Sequence, residues 1–124
     1  MKQLLLVFIG GGFGSVLRFI LGKQLNSTTS GIPWGTFTAN IIGSLLIGII
    51  LGIAAKNNTL TQNQTLLLAT GFCGGFTTFS SFAYNNLNLL RDKSLFYLLF
   101  NIGGSIFFGI LAVYLGIILI RTLF

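Results

Sequence analysis

The chain has 124 residues, 53% of them hydrophobic and only 6% charged, and carries a formal net charge of +6. A soluble domain holds about 25% charged residues, so this composition excludes a water-soluble globule and reads as one integral membrane domain, residues 1–124. With no His, one Cys (Cys73) and one acidic residue (Asp92), the chain cannot assemble a Cys/His metal centre, a His-activated nucleophile or a proton-carrying carboxylate at membrane depth, so enzyme readings drop out.

The first apolar run extends from about residue 4 to 25 and ends at the polar stretch Asn26-Ser27-Thr28-Thr29-Ser30-Gly31. Behind Met1-Lys2-Gln3 it has the outline of a signal peptide. It continues past Arg18 without a small-x-small cleavage site, so it reads as a retained first span. Arg18 lies inside it, where two readings stand: snorkelling to the near interface, or facing a vestibule and drawing an anion toward it. Gly10 and Gly14 form a small-x-x-x-small pair for close helix packing.

The second span, about 33–55, opens on Pro33-Trp34, proline suiting a first helical turn and tryptophan an interface. Thr36, Asn40 and Ser44 recur every four residues and share a helical face. They are either interhelical polar glue or a polar track in which Asn40 offers an amide donor to a dehydrated anion. Ser44, Gly48 and Gly52 make a second ladder of small residues.

The third span, about 61–90, contains Gly74-Gly75-Phe76-Thr77-Thr78-Phe79-Ser80-Ser81-Phe82. Glycines there are expected to loosen the helix, and irregular backbone survives in lipid only where protein buries it or a polar cavity meets it. The break is either a packing kink or a place where main-chain carbonyls face a small cation such as sodium. Phe79 and Phe82 fall on one face of the resumed helix, and the positive edges of their rings favour an anion. The fourth span, about 95–119, carries Asn101 and Ser105 on one face, with Ser105 and Gly109 as another small pair and Arg121 behind.

Four membrane helices with a broken third is the predicted architecture. An even number of spans sets Lys2, Lys56 and Arg121 against Lys23, Arg91 and Lys93, with Arg18 as an optional fourth. Charges so balanced give almost no inside preference, which predicts insertion both ways and an antiparallel dimer. The same scatter argues against nucleic acid, whose binding surfaces cluster basic residues.

Three ordered blocks carry a family resemblance over nearly the whole chain: Gly10-Gly11-Gly12-Phe13-Gly14-Ser15-Val16-Leu17-Arg18-Phe19, Gly35-Thr36-Phe37-Thr38-Ala39-Asn40-Ile41-Ile42-Gly43-Ser44, and Gly71-Phe72-Cys73-Gly74-Gly75-Phe76-Thr77-Thr78-Phe79-Ser80-Ser81-Phe82. The chain resembles the Fluc (CrcB) fluoride channels. The resemblance implies a multi-pass protein of the bacterial inner membrane, an antiparallel dual-topology dimer with two fluoride pores. It further implies a structural sodium ion held at the dimer interface by main-chain carbonyls of Gly74 and Thr77. Matched onto the motifs, the fluoride path takes Asn40, Thr78, Phe79, Phe82, Ser105 and Asn101, with Arg18 in the vestibule. The implied activity is passive export of fluoride from the cytoplasm, which lowers its toxicity.

One position departs from the family pattern: Asn85 stands where a glutamate usually follows the second aromatic. That leaves room for a heterodimer in which this chain is one subunit, even a non-conducting one, beside the homodimer. A four-helix multidrug/proton antiporter is the alternative of another class. It needs a titratable carboxylate within the membrane, which this sequence lacks.

Overall fold

A computed structural model describes residues 1–26, 31–56 and 59–124; parts of two polar stretches expected to end the first and second spans, 27–30 and 57–58, lie outside the described residues. Every element among the described residues is helical, and four helical stretches are long and apolar enough to cross a membrane: Lys2–Leu25, Trp34–Ala55, Gln62–Arg91 and Leu95–Leu123. We label the first two α1 and α2. The third comprises α3, residues 62–76, and α4, Phe79–Arg91, and the fourth is α5, Leu95–Leu123, which runs on past Arg121.

Local chemistry sets the helix ends. Asn26, just past α1, turns its side-chain oxygen to accept the Gly35 N–H at 2.8 Å, so the end of α1 satisfies one of the open donors that begin α2. Pro33 takes the cap position of α2, immediately before the first helical turn. Thr61 and Gln64 form a capping box at the head of α3: the Thr61 hydroxyl accepts the Gln64 N–H at 3.2 Å, and Gln64 Oε1 accepts the Thr61 N–H at 2.9 Å. Between α4 and α5, Lys93 sits at φ 56°, the left-handed conformation that closes many helices. There the Ser94 N–H reaches Leu89 O at 3.0 Å and the Lys93 N–H reaches Leu90 O at 3.1 Å.

Within α3, Leu66–Cys73 is wound as a π-helix between two short α-helical pieces, Gln62–Thr65 and Gly74–Phe76. Such wide turns are rare and collect at functional sites. Helical geometry then stops for two residues. Thr77 (φ −86°, ψ 156°) and Thr78 (φ −152°, ψ 121°) are extended, and α4 starts at Phe79.

The glycines of the third span play a different part from the one expected of them. Gly74 and Gly75 are helical, and no described glycine has a positive φ. What the bundle uses is their missing side chain. A Cβ on Gly14 would run into the main chain of Phe72 and Phe76, and one on Gly75 into the main chain of Gly11, so α1 lies backbone to backbone on α3. Gly48 and Gly116 do the same for α2 and α5, against Val113 and against Leu45 and Ile49. The small-residue ridges thus pack largely within this one chain, while Gly12 and Gly103 meet nothing within 4 Å. Buried apolar residues are few (Ala39, Ala69, Cys73, Phe76 and Ala112 among them), whereas Phe8, Phe13, Phe96, Phe107 and Ile110 point outward. In water that surface would be prohibitive; against lipid tails it costs nothing.

Candidate functional site

The interruption between α3 and α4 is held by side chains from two other helices. An α-helical carbonyl expects the N–H four residues on. Cys73 O receives it, from the Thr77 N–H at 2.9 Å, and accepts the Thr77 hydroxyl at 2.8 Å as well. Gly74 O does not: the Thr78 N–H instead donates to Asn40 Oδ1 on α2 at 2.8 Å. The Asn40 amide also donates from Nδ2 to Thr78 O at 3.2 Å. Gly75 O is met from α1, by Arg18 Nε at 3.1 Å and Ser15 Oγ at 3.4 Å. Thr78 then starts α4, its hydroxyl accepting the Ser81 N–H at 3.2 Å and pairing with Ser80 Oγ at 3.1 Å.

A groove of about 460 Å³ opens beside this interruption, lined by Asn40, Ser44, Ala69, Cys73, Gly74, Thr77, Thr78, Phe79, Phe82 and Ser105, among others. Among the described residues, no charged side chain lines it. Its polar groups are amides, hydroxyls and main chain, and its largest side chains are the rings of Phe79 and Phe82. Those rings sit 5.8 Å apart at an interplanar angle of 44°, with Phe79 78% exposed. Ser44 Oγ donates back to Asn40 O at 2.7 Å. Ser105 Oγ is buried and has no hydrogen-bond partner among the described residues. A buried hydroxyl left unpaired is uncommon and marks a place where a ligand or water would be welcome.

Seven of the nine site residues named from the sequence therefore come together on one groove: Asn40, Gly74, Thr77, Thr78, Phe79, Phe82 and Ser105. Arg18 and Asn101 do not line it. Arg18 is half-buried behind the interruption, with its Nε on Gly75 O. Asn101 is 1% exposed and donates from Nδ2 to Asn86 Oδ1 at 2.7 Å, tying α5 to α4. Asn85, one position earlier, donates from Nδ2 to Thr36 Oγ1 on α2 at 3.2 Å. Sequence reading passed over Ser15 and Cys73 as site residues. Ser15 shares the Arg18 face of α1 at a three-residue spacing, a signal that was present but weak. Cys73 reaches the groove through the wide π-turns, which have no plain sequence signature.

Comparison with known proteins gives one consistent answer. The family model described as "CrcB-like protein, Camphor Resistance (CrcB)" matches residues 5–117. A "Fluoride-specific ion channel FluC" of Gloeothece citriformis is 47% identical over 125 residues, covering 98% of both chains. Proteins of the same description from Phocaeicola vulgatus and Flavobacterium psychrophilum are 44% and 37% identical, covering 94% and 99% of this chain and 97% and 100% of theirs.

Proposed function

The chain belongs to the CrcB-like family, and from that premise we propose that it forms a fluoride-selective channel which lets the ion leave the cytoplasm passively. The observation that carries the reading is the uncharged groove, in which amide and hydroxyl donors meet the rings of Phe79 and Phe82. A small anion must be held firmly enough to shed water and loosely enough to move on. Neutral donors and ring edges suit that compromise better than a fixed positive charge, and the Ser105 hydroxyl supplies one donor with no competing partner among the described residues. Arg18, set back on Gly75 O, would draw the anion toward the site without trapping it.

The reading includes an antiparallel dimer in the bacterial inner membrane, with one sodium ion where the two interruptions meet. The chemistry of the donor set suits that ion. Gly74 O lacks its helical donor, Gly74 and Thr77 both line the open groove, and carbonyl oxygens without a carboxylate favour a monovalent hard cation over a divalent one. Arg18 is engaged within the bundle, so the flanking charges stand three against three, which supports insertion in both orientations. Neutral hydrogen fluoride enters from an acidic exterior and dissociates inside, and the membrane potential then drives the anion out.

Fluoride efflux from liposomes holding only this chain tests the proposal. The parent passes fluoride and holds back chloride with no proton gradient, and Phe79→Ile or Phe82→Ile slows efflux at least about tenfold, which corresponds to about 1.4 kcal/mol. Equal leakage of chloride refutes selectivity. A folded chain that passes neither ion refutes the homodimeric channel and favours the partner-subunit reading that Asn85 invites.

A further inference from the structure

Asn40 spends its carboxamide on main chain. Its Oδ1 accepts the Thr78 N–H at 2.8 Å, and its Nδ2 donates to Thr78 O at 3.2 Å. That is the two-bond pairing a neighbouring strand residue would offer to an extended segment, and Thr78 is extended, at φ −152° and ψ 121°. Without it the Thr78 N–H has one obvious destination, the carbonyl of Gly74 four residues back. That bond would continue α3 by a residue and use up the Gly74 oxygen.

The surroundings make the clamp rigid. Ala39, next to Asn40, is fully buried, and one turn on, a Cβ at Gly43 would strike Thr77 Cγ2. Gly43 thus lies against Thr77, and Asn40, one turn earlier on α2, pairs with Thr78. From the other side, Arg18 and Ser15 of α1 occupy the next carbonyl, that of Gly75. Of these two adjacent oxygens one is taken by the protein, and the other is kept free by what Asn40 does to Thr78.

We infer that Asn40 is a positioning residue for the cation site: it holds Thr78 extended and thereby keeps the Gly74 carbonyl free for a small hard monovalent cation. The inference rests on the proposed sodium site. It also gives Asn40 a task separate from any contact with the anion. One N–H of Nδ2 is engaged at Thr78 O, and the second is left for the groove that Asn40 lines.

The test uses the full chain purified in detergent. Its thermal unfolding midpoint is followed as sodium chloride replaces potassium chloride or N-methylglucamine chloride at constant ionic strength, and fluoride efflux is measured in parallel. The parent midpoint rises with sodium. Asn40→Leu removes both bonds to Thr78, and the sodium concentration for half the rise should increase at least tenfold. Asn40→Asp keeps an acceptor for the Thr78 N–H, so it should retain the sodium response within about threefold while losing efflux. A folded Asn40→Leu protein with the parental sodium dependence overturns the inference and leaves the cation site standing. A folded Asn40→Asp protein without a sodium response overturns it as well, should Asn40→Leu not fold. A parent indifferent to sodium overturns the cation site and the inference with it.

Discussion

Gly75→Ala puts the packing argument at risk most directly. An added Cβ meets the Gly11 carbonyl group and Cα, with the carbonyl carbon and Cα each at 2.9 Å. Carbon atoms pack at about 3.5–4.0 Å, so α1 and α3 must separate by roughly 0.6–1 Å. Both sides of the collision are main chain, so no side-chain rotation can absorb it. Overpacking costs typically 1–3 kcal/mol, with a rigid contact at the upper end, and alanine returns roughly 0.8–1.0 kcal/mol of helix propensity over glycine. The net loss is about 2 kcal/mol, before counting the Arg18 bond to Gly75 O. At 3.1 Å that bond is already near the limit of hydrogen-bond range, and the separation would break it. Gly12→Ala is the control: nothing lies within 4 Å of its added Cβ, so it should be neutral or stabilising by up to about 1 kcal/mol. Denaturation in mixed micelles, titrated with SDS, reads both changes, and fluoride efflux should fall for Gly75→Ala alone. Parental stability in Gly75→Ala, or an equal loss in Gly12→Ala, would refute the claim that α1 lies backbone to backbone on α3 at Gly11 and Gly75.

Two further outcomes concern the polar groups of α5. Ser105→Ala deletes a buried hydroxyl that has no partner among the described residues, so stability should hold or rise by up to about 1–3 kcal/mol while fluoride efflux falls; unchanged efflux in liposomes would remove Ser105 from the path. Asn101→Leu strands Asn86 Oδ1 between α4 and α5 and should cost about 1–3 kcal/mol in the same denaturation assay. Because Asn101 does not line the groove, the fluoride-to-chloride flux ratio should stay at the parental value, and a changed ratio would put Asn101 back on the pathway.

The spans were legible in the sequence because a membrane makes secondary structure a local matter. With no water to satisfy N–H and C=O groups, each apolar run must close its own hydrogen bonds, and the four long helices follow from run length and flanking polar residues. What draws Thr77 and Thr78 out of helical geometry was not legible. Composition pointed to Gly74 and Gly75, yet both are helical, and the extended residues are Thr77 and Thr78. Thr78 is drawn out by Asn40, a residue on another helix whose spacing along α2 advertised a polar face without naming its partner.

That gap has a physical source. A hydroxyl or amide at membrane depth signals that a bond is needed, and helix packing decides which group supplies it. Asn101 and Ser105 illustrate the point, being one turn apart on the same face of α5. Asn101 meets Asn86 where α4 crosses; Ser105 faces the groove and has no partner among the described residues. Arg18 followed the same rule. Its charge could be read from the sequence, but its bond to Gly75 O depends on α1 and α3 touching at Gly11 and Gly75. Small residues decide how close the helices come, and closeness decides which polar groups are used up. What the packing leaves without a partner among the described residues, the Gly74 carbonyl and the Ser105 hydroxyl, is what remains available to an ion.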